Sequence, residues 1–357
     1  ELALAAFAKQ GITTFVDADS SAETIAAFNT VARTGHLTAR AYVIPQIPVA
    51  VAAAPDARLA EIESMAARYD KGPLGVAPAI RLQSAKIYLD GVIAGPSFTG
   101  SMLQPYLIDA GSGAAPRWVP GPSRGPAPYF SPDALEHVVI ELARHDLDPH
   151  MHVDGDRAVR AGLDAIAALR AAEPRRDIRP VLAHDEIVDP ADYPRFRALN
   201  VTAVLSMQWE KPAADTIDNL RNELGPARFR RLEPAGFLTR AGARVVFGSD
   251  WPVDALDEWF ALKVGITRTA APDARPAYAG RLGADPGLTL EEALRAITVN
   301  AAYEIHAERD LGSIKVGKLA DFIVLDRNVF HIPPADIAKV GVLETCVGGR
   351  TVYSRKY

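Results

Sequence analysis

The chain has 357 residues, 48% hydrophobic and 23% charged, enough to fill the core of one large α/β barrel or of two smaller domains. Its formal net charge is −5 and its 39 basic residues form no long cationic run, which argues against nucleic acid as a partner; no stretch reaches the eighteen or so apolar residues of a membrane span. The single cysteine, Cys346, excludes an intrachain disulfide and a cysteine metal cluster, and without a recognisable signal peptide the sequence reads as cytoplasmic.

In chain order, ELALAAFAKQG reads as the second half of an amphipathic helix running straight into a strand, ITTFVDA, at 12–18. Strand-like runs recur at 40–47, 84–90, 148–154, 179–185, 201–208 and 243–250. Helical stretches fall between them at 23–35, 58–70, 131–146 and 157–173. The last of these has apolar residues at helical spacing, Asp156 to cap its start and Pro174 after its end. Strands alternating with helices predict a parallel sheet. The seven β/α steps fit a (β/α)₈ TIM-type barrel lacking its first strand in this chain, with an open doubly wound sheet as the other arrangement. A Gly/Pro-rich stretch, 99–133, is expected to be either a mobile segment or a lid over the strand ends. Two more helices are expected at 255–264 and 289–299, and from 311 the chain turns strand-rich, with Gly348 and Gly349 placed to form a hairpin turn. The organisation expected is a barrel over 1–305 followed by a small β unit over 306–357.

Polar residues gather at the predicted strand ends: Asp17, Lys86, Asp90, His150, His152, His184, Gln208 and Asp250. In a barrel those ends share one face, where such folds place their chemistry. His150 and His152 lie two apart on a strand and so point the same way, an arrangement suited to zinc but also ordinary at a strand end. Lys86 reads either as an ion-pair partner of Asp90 or Asp17, or as a lysine carboxylated by carbon dioxide that bridges two metals. Asp156 reads as a helix cap or a support for the site, and Asp90 as a residue that orients its loop. Candidate substrate contacts are His150, Arg157, Gln208, Trp209 and Trp251. No GxxxxGK phosphate loop and no G-x-S-x-G elbow is present, which argues against nucleotide and serine-nucleophile chemistry.

GITTFVDA, AKIYLDG, HMHVDGDRAV, VLAHDEIVDPADYPRF, VFGSDWPV and GSIKVGKLADFIVLD together resemble the YtcJ-like branch of the metal-dependent amidohydrolase superfamily, a branch that includes N-substituted formamide deformylase. The resemblance implies a (β/α)₈ catalytic domain and a composite β-sandwich of which 306–357 is the C-terminal part. It implies a divalent metal, zinc, as one ion or as two bridged by carboxylated Lys86, with Lys86, His152, His184 and Asp250 as ligands. The activity implied is hydrolysis of a small-molecule C–N bond in an amide, an N-formyl compound or a related carbonyl compound. Asp250 would serve as general base and acid, and His184 would help at the oxyanion. The family's first-strand HxH pair has no counterpart here. The expectation is that an N-terminal polypeptide beyond this sequence completes the site; the alternative is a non-catalytic homologue lacking a complete metal site. An isomerase, dehydratase or decarboxylase on the same barrel, and a homo-oligomeric assembly, are left open.

Overall fold

The computed structural model describes residues 1–112 and 115–355. Its strands are β1 (Thr14–Asp17), β2 (Arg40–Val43), β3 (Ile80–Arg81), β4 (Ser84–Tyr88), β5 (Leu107–Asp109), β6 (Trp118–Pro120), β7 (Asp148–Val153), β8 (Val181–His184), β9 (Thr202–Leu205), β10 (Arg244–Phe247), β11 (Phe322–Leu325), β12 (Val342–Val347) and β13 (Arg350–Ser354). Its α-helices are α1 (Leu2–Gln10), α2 (Ala22–Arg33), α3 (Asp56–Tyr69), α4 (Pro132–Arg144), α5 (Asp156–Ala172), α6 (Tyr193–Ala198), α7 (Arg221–Phe229), α8 (Ala235–Arg240), α9 (Glu258–Thr267), α10 (Leu290–Ala296) and α11 (Val299–Glu304).

Strands β1, β2 and β3 form one parallel sheet, and β4, β7, β8, β9 and β10 a second. The two join where the chain after β2 meets β4: Lys86 N–H donates to Pro45 O at 2.9 Å and Ile47 N–H to Lys86 O at 2.7 Å. All seven strands expected from the sequence are present, parallel and laid side by side in chain order, as βα units dictate. The order ends at β1 and β10, and among the described residues no strand pairing joins those two. Near this gap, Gln10 donates to Leu256 O at 3.2 Å and the Phe7 ring stands edge-on to Trp251 at 5.7 Å.

Helix α5 shows why the long helices form where expected. Ala158, Val159, Leu163, Ile166 and Leu169 recur at helical spacing and are all buried. The capping expectation needs correction: Gly155 is the N-cap residue and Asp156 the first helical residue. The Asp156 carboxylate accepts from Leu103 N–H at 2.7 Å instead, while Ser101 O accepts the otherwise orphaned N–H of Arg157 at 3.0 Å.

In its described part the Gly/Pro-rich stretch packs at the strand ends, where Ser101 N–H donates to Asp90 Oδ2 at 2.8 Å. It carries the antiparallel β5–β6 hairpin, and its Met102 and Tyr106 bury into a second core with Ile93, Ile187, Leu220, Leu224, Leu232 and Leu282. Arg228 on α7 grips it by donating to Gln104 O at 2.9 Å and Pro105 O at 2.7 Å.

The C-terminal strands β11, β12 and β13 form an antiparallel sheet whose hairpin turns at Gly348 and Gly349, with φ of 57° and 76°. Both residues are left-handed, as a two-residue turn of this kind requires. The sheet packs on α1, where Thr345 Oγ1 donates to Ala8 O at 2.7 Å. Contacts of the parallel strands reach past residue 305: His306 binds Asp148 at 2.8 Å and Glu308 pairs with Arg179 at 2.8 Å.

Candidate metal centre and active site

Register places the candidate residues. Pairing of β4 with β7 sets Lys86 beside His150 and Tyr88 beside His152, so all four occupy one face of the sheet in two layers. The lower layer is closed. His150 is buried and its nearest ionic neighbour is Glu304 of α11, with Nδ1 3.9 Å from Oε1. It is packed into the interior beneath the strand ends.

The upper layer opens towards the strand ends. The His152 and His184 rings lie 4.5 Å apart, and Asp154 joins them so that one donor atom from each of the three falls within 4.8 Å of the others. His152 Nε2 faces three acceptors: Gly91 O at 3.2 Å, Asp154 Oδ1 at 3.5 Å and Asp90 Oδ1 at 3.8 Å. Asp154 was missed in the sequence, yet the signal was present: residues 150, 152 and 154 share one face by the two-residue repeat of a strand.

Burial, with the Lys86 charge nearby, lowers His152 to about 4 and holds His184 well below the ordinary imidazole range. Asp154 is pushed well up by burial and by Glu186 and Asp90, and Asp90 rises to about 7 for the same first reason. Two nearby carboxyls that favour their protons do not hold His152 positive. Two neutral imidazoles beside Asp154 Oδ1, which has no hydrogen-bond partner among the described residues, form a donor set that fits a divalent ion. The ion would itself favour the ionised carboxylate.

Lys86 is buried on β4, with Nζ 4.9 Å from the centroid of the Tyr88 ring. Burial lowers its amine to about 8 against the opposing pull of Asp250, Asp19 and Asp154. Asp250 is exposed at the rim and lies outside the compact His–Asp–His set, three residues beyond β10. His184, Asp185 and Asp250 all take left-handed backbone conformations, with φ of 85°, 50° and 52°. Strain of this kind in non-glycine residues persists where surrounding structure enforces it, and it clusters at functional sites.

The remaining candidates separate. Trp209 stacks on His184, with ring centroids 5.7 Å apart and planes 13° from parallel. Gln208 is buried and its amide donates to Ser249 O, so it holds the β10 end rather than lining an open pocket. Trp251 packs against Phe7 while remaining 40% exposed. Arg157 is half-buried on the first turn of α5, and among the described residues its guanidinium makes no hydrogen bond to the His152 cluster. Asp90 orients its loop as expected, accepting from Ser101 N–H at 2.8 Å and from Asp154 and Gly155 N–H at 3.0 Å each.

A parallel α/β sheet with two histidines and an aspartate clustered at its strand ends offers the donor set of a divalent-metal site. The family model described as "Amidohydrolase family" matches residues 1–353, and the chain belongs to that family. YtcJ of Bacillus subtilis (strain 168) is 24% identical over 281 residues, covering 78% of this chain and 48% of that protein. N-substituted formamide deformylase of Arthrobacter pascens is 27% identical over 230 residues, covering 64% of this chain and 41% of that enzyme. The chain thus spans less than half the length of these curated relatives. Among solved structures, a metal-dependent hydrolase from Pyrococcus horikoshii OT3 has a TM-score of 0.67 at 20% identity, covering 90% of this chain and 57% of that one. An adenosine deaminase from Xanthomonas campestris with bound zinc has a TM-score of 0.59 at 17% identity, covering 98% of this chain and 68% of that one. These likenesses support the fold.

Proposed function

We propose that the chain carries most of the catalytic barrel of a metal-dependent hydrolase acting on a small-molecule C–N bond in an amide, N-formyl or related carbonyl compound. The observation that carries this reading is the cluster of His152, Asp154 and His184 at the strand ends, with its imidazoles neutral and one carboxylate oxygen free. A divalent ion, zinc, would supply an activated water and polarise the carbonyl. His152, His184 and Asp154 would hold it, with Lys86 joining as a carboxylated lysine.

Asp250, at the rim and within the electrostatic reach of Lys86, is assigned to take the proton of the attacking water and return it to the leaving nitrogen. Trp209, lying flat on His184, would wall the substrate side and exclude water. The test uses the longest native polypeptide that contains these residues. Zinc is stripped with a chelator, and a panel of an N-alkyl formamide, p-nitroacetanilide, a urea and p-nitrophenyl acetate is assayed before and after zinc is restored. Turnover of a C–N substrate should vanish and return with the metal; full turnover in demonstrably metal-free protein refutes the reading. Asp250→Asn should lower kcat on the same substrate by at least about 100-fold.

A further inference from the structure

We propose that Ser206–Trp209, the turn leaving β9, is a brace that sets the position of Asp250 relative to His184, with Gln208 as a positioning residue. This rests on the reading of Asp250 given above. Two side chains of the turn hold successive carbonyls at the β10 end: Ser206 Oγ donates to Gly248 O at 2.8 Å and Gln208 Nε2 to Ser249 O. Asp250 follows immediately, in a left-handed conformation closed by Val253 N–H donating to Asp250 O at 2.9 Å. A left-handed aspartate needs support from its surroundings, and the two held carbonyls supply it directly upstream.

The opposite side of the same turn reaches the other half of the site. Trp209 lies flat against His184 at 5.7 Å. The turn is itself anchored, because Gln208 is 3% exposed and its main-chain oxygen accepts from Lys211 Nζ at 2.5 Å. Asp250 is exposed and Trp209 half-buried, whereas the Gln208 amide is buried behind them in the fold's packing. One four-residue segment therefore touches both the metal cluster and the turn that carries the proposed base.

The experiment compares Gln208→Met, Gln208→Glu and Ser206→Ala in the longest native polypeptide, using the C–N substrate that the panel identifies. Readouts are kcat, KM, the pH profile, and the rate at which a chromogenic chelator removes zinc. Gln208→Met should lower kcat by about 10- to 100-fold, leave KM within about threefold, and speed zinc release, because misplacing a positioned group acts on the chemical step. Gln208→Glu should be active at low pH, where its neutral carboxyl donates to Ser249 O, and should lose activity as the carboxyl ionises and repels that oxygen. Neither the parent protein nor Gln208→Met should show that limb.

A raised KM with kcat preserved in Gln208→Met would make Gln208 a substrate contact and overturn the brace, as would kcat, KM and zinc release all equal to the parent. If Gln208→Met does not fold, the pH limb of Gln208→Glu and a smaller loss of kcat in Ser206→Ala decide; absence of both overturns the proposal. Full kcat in Asp250→Asn removes the reading of Asp250 itself. Loss in Asp250→Asn with an unaffected Gln208→Met removes only the brace.

Discussion

Glu304 reaches from α11 into the interior beneath the site, where burial and then the Asp148 carboxylate push its pKa up to about 8. His150, 3.9 Å away, is held neutral by burial, so among the described residues it supplies no cation to offset the cost of ionising Glu304. The native state therefore keeps a proton that the unfolded chain releases above about 4.5, the ordinary value for glutamate. Between pH 4.5 and about 8 stability should fall as pH rises, with a contribution of up to about 1.4 kcal/mol per pH unit from this group. Urea unfolding across that range should show a shallower pH dependence for Glu304→Gln; equal slopes in the two proteins refute the assignment. Asp154 carries a different expectation. Asp154→Ala should weaken zinc binding by about 10- to 100-fold as read by competitive chelation, and unchanged affinity would remove it from the donor set. The two-residue repeat made His152 and Asp154 readable from HMHVD, but not Glu304: the contact joins residues more than 150 positions apart, and no local pattern encodes it.

At the scale of elements, legibility followed length and regularity. Helix α5 runs 17 residues with a clean apolar stripe and sits where the periodicity places it, whereas β3, β5 and β6 have two or three residues each, too few to show a repeat. Helix α7 was hidden because Gly225, with φ of 71°, and Pro226 break its helical pattern. The stretch after β4 looked free because its restraints come from afar: Arg228 holds its carbonyls and Asp156 its Leu103 amide. It approaches Gly155 tightly, where an added Cβ would stand 2.2 Å from Ser101 O. Backbone on both sides leaves no flexible side chain to yield. Gly155→Ala should cost at least about 2 kcal/mol and loosen this stretch, so that limited proteolysis cuts near residues 100–106 under conditions that spare the parent. Parent-like stability and resistance would show that the backbone there yields freely.

For the whole molecule, the question is how the C-terminal sheet is held to the barrel. The order of the seven parallel strands was legible because consecutive βα units lie side by side, but the joint between barrel and sheet was not. That joint centres on Arg40 at the start of β2 and Asp321 before β11, 281 positions apart, paired through two contacts of 2.7 and 3.0 Å with both side chains at most 5% exposed. Arg40 also donates to Gly75 O at 2.7 Å, while Asp321 Oδ1 accepts from Gly348 N–H at 2.7 Å in the β12–β13 turn. Removing one partner strands the other charge without water, a loss of about 3–5 kcal/mol, whereas removing both leaves only amides to be rehydrated. Arg40→Met should therefore destabilise more than Arg40→Met combined with Asp321→Leu. Cys346 supplies a local readout, since it is the chain's only cysteine and is buried within β12. In Arg40→Met, Cys346 should react with a thiol reagent at urea concentrations below the global unfolding midpoint, as the sheet lifts away while the barrel persists. Labelling that coincides with global unfolding in that variant would mean that sheet and barrel form one cooperative unit, secured by α1 and the Thr345–Ala8 contact more than by the buried ion pair.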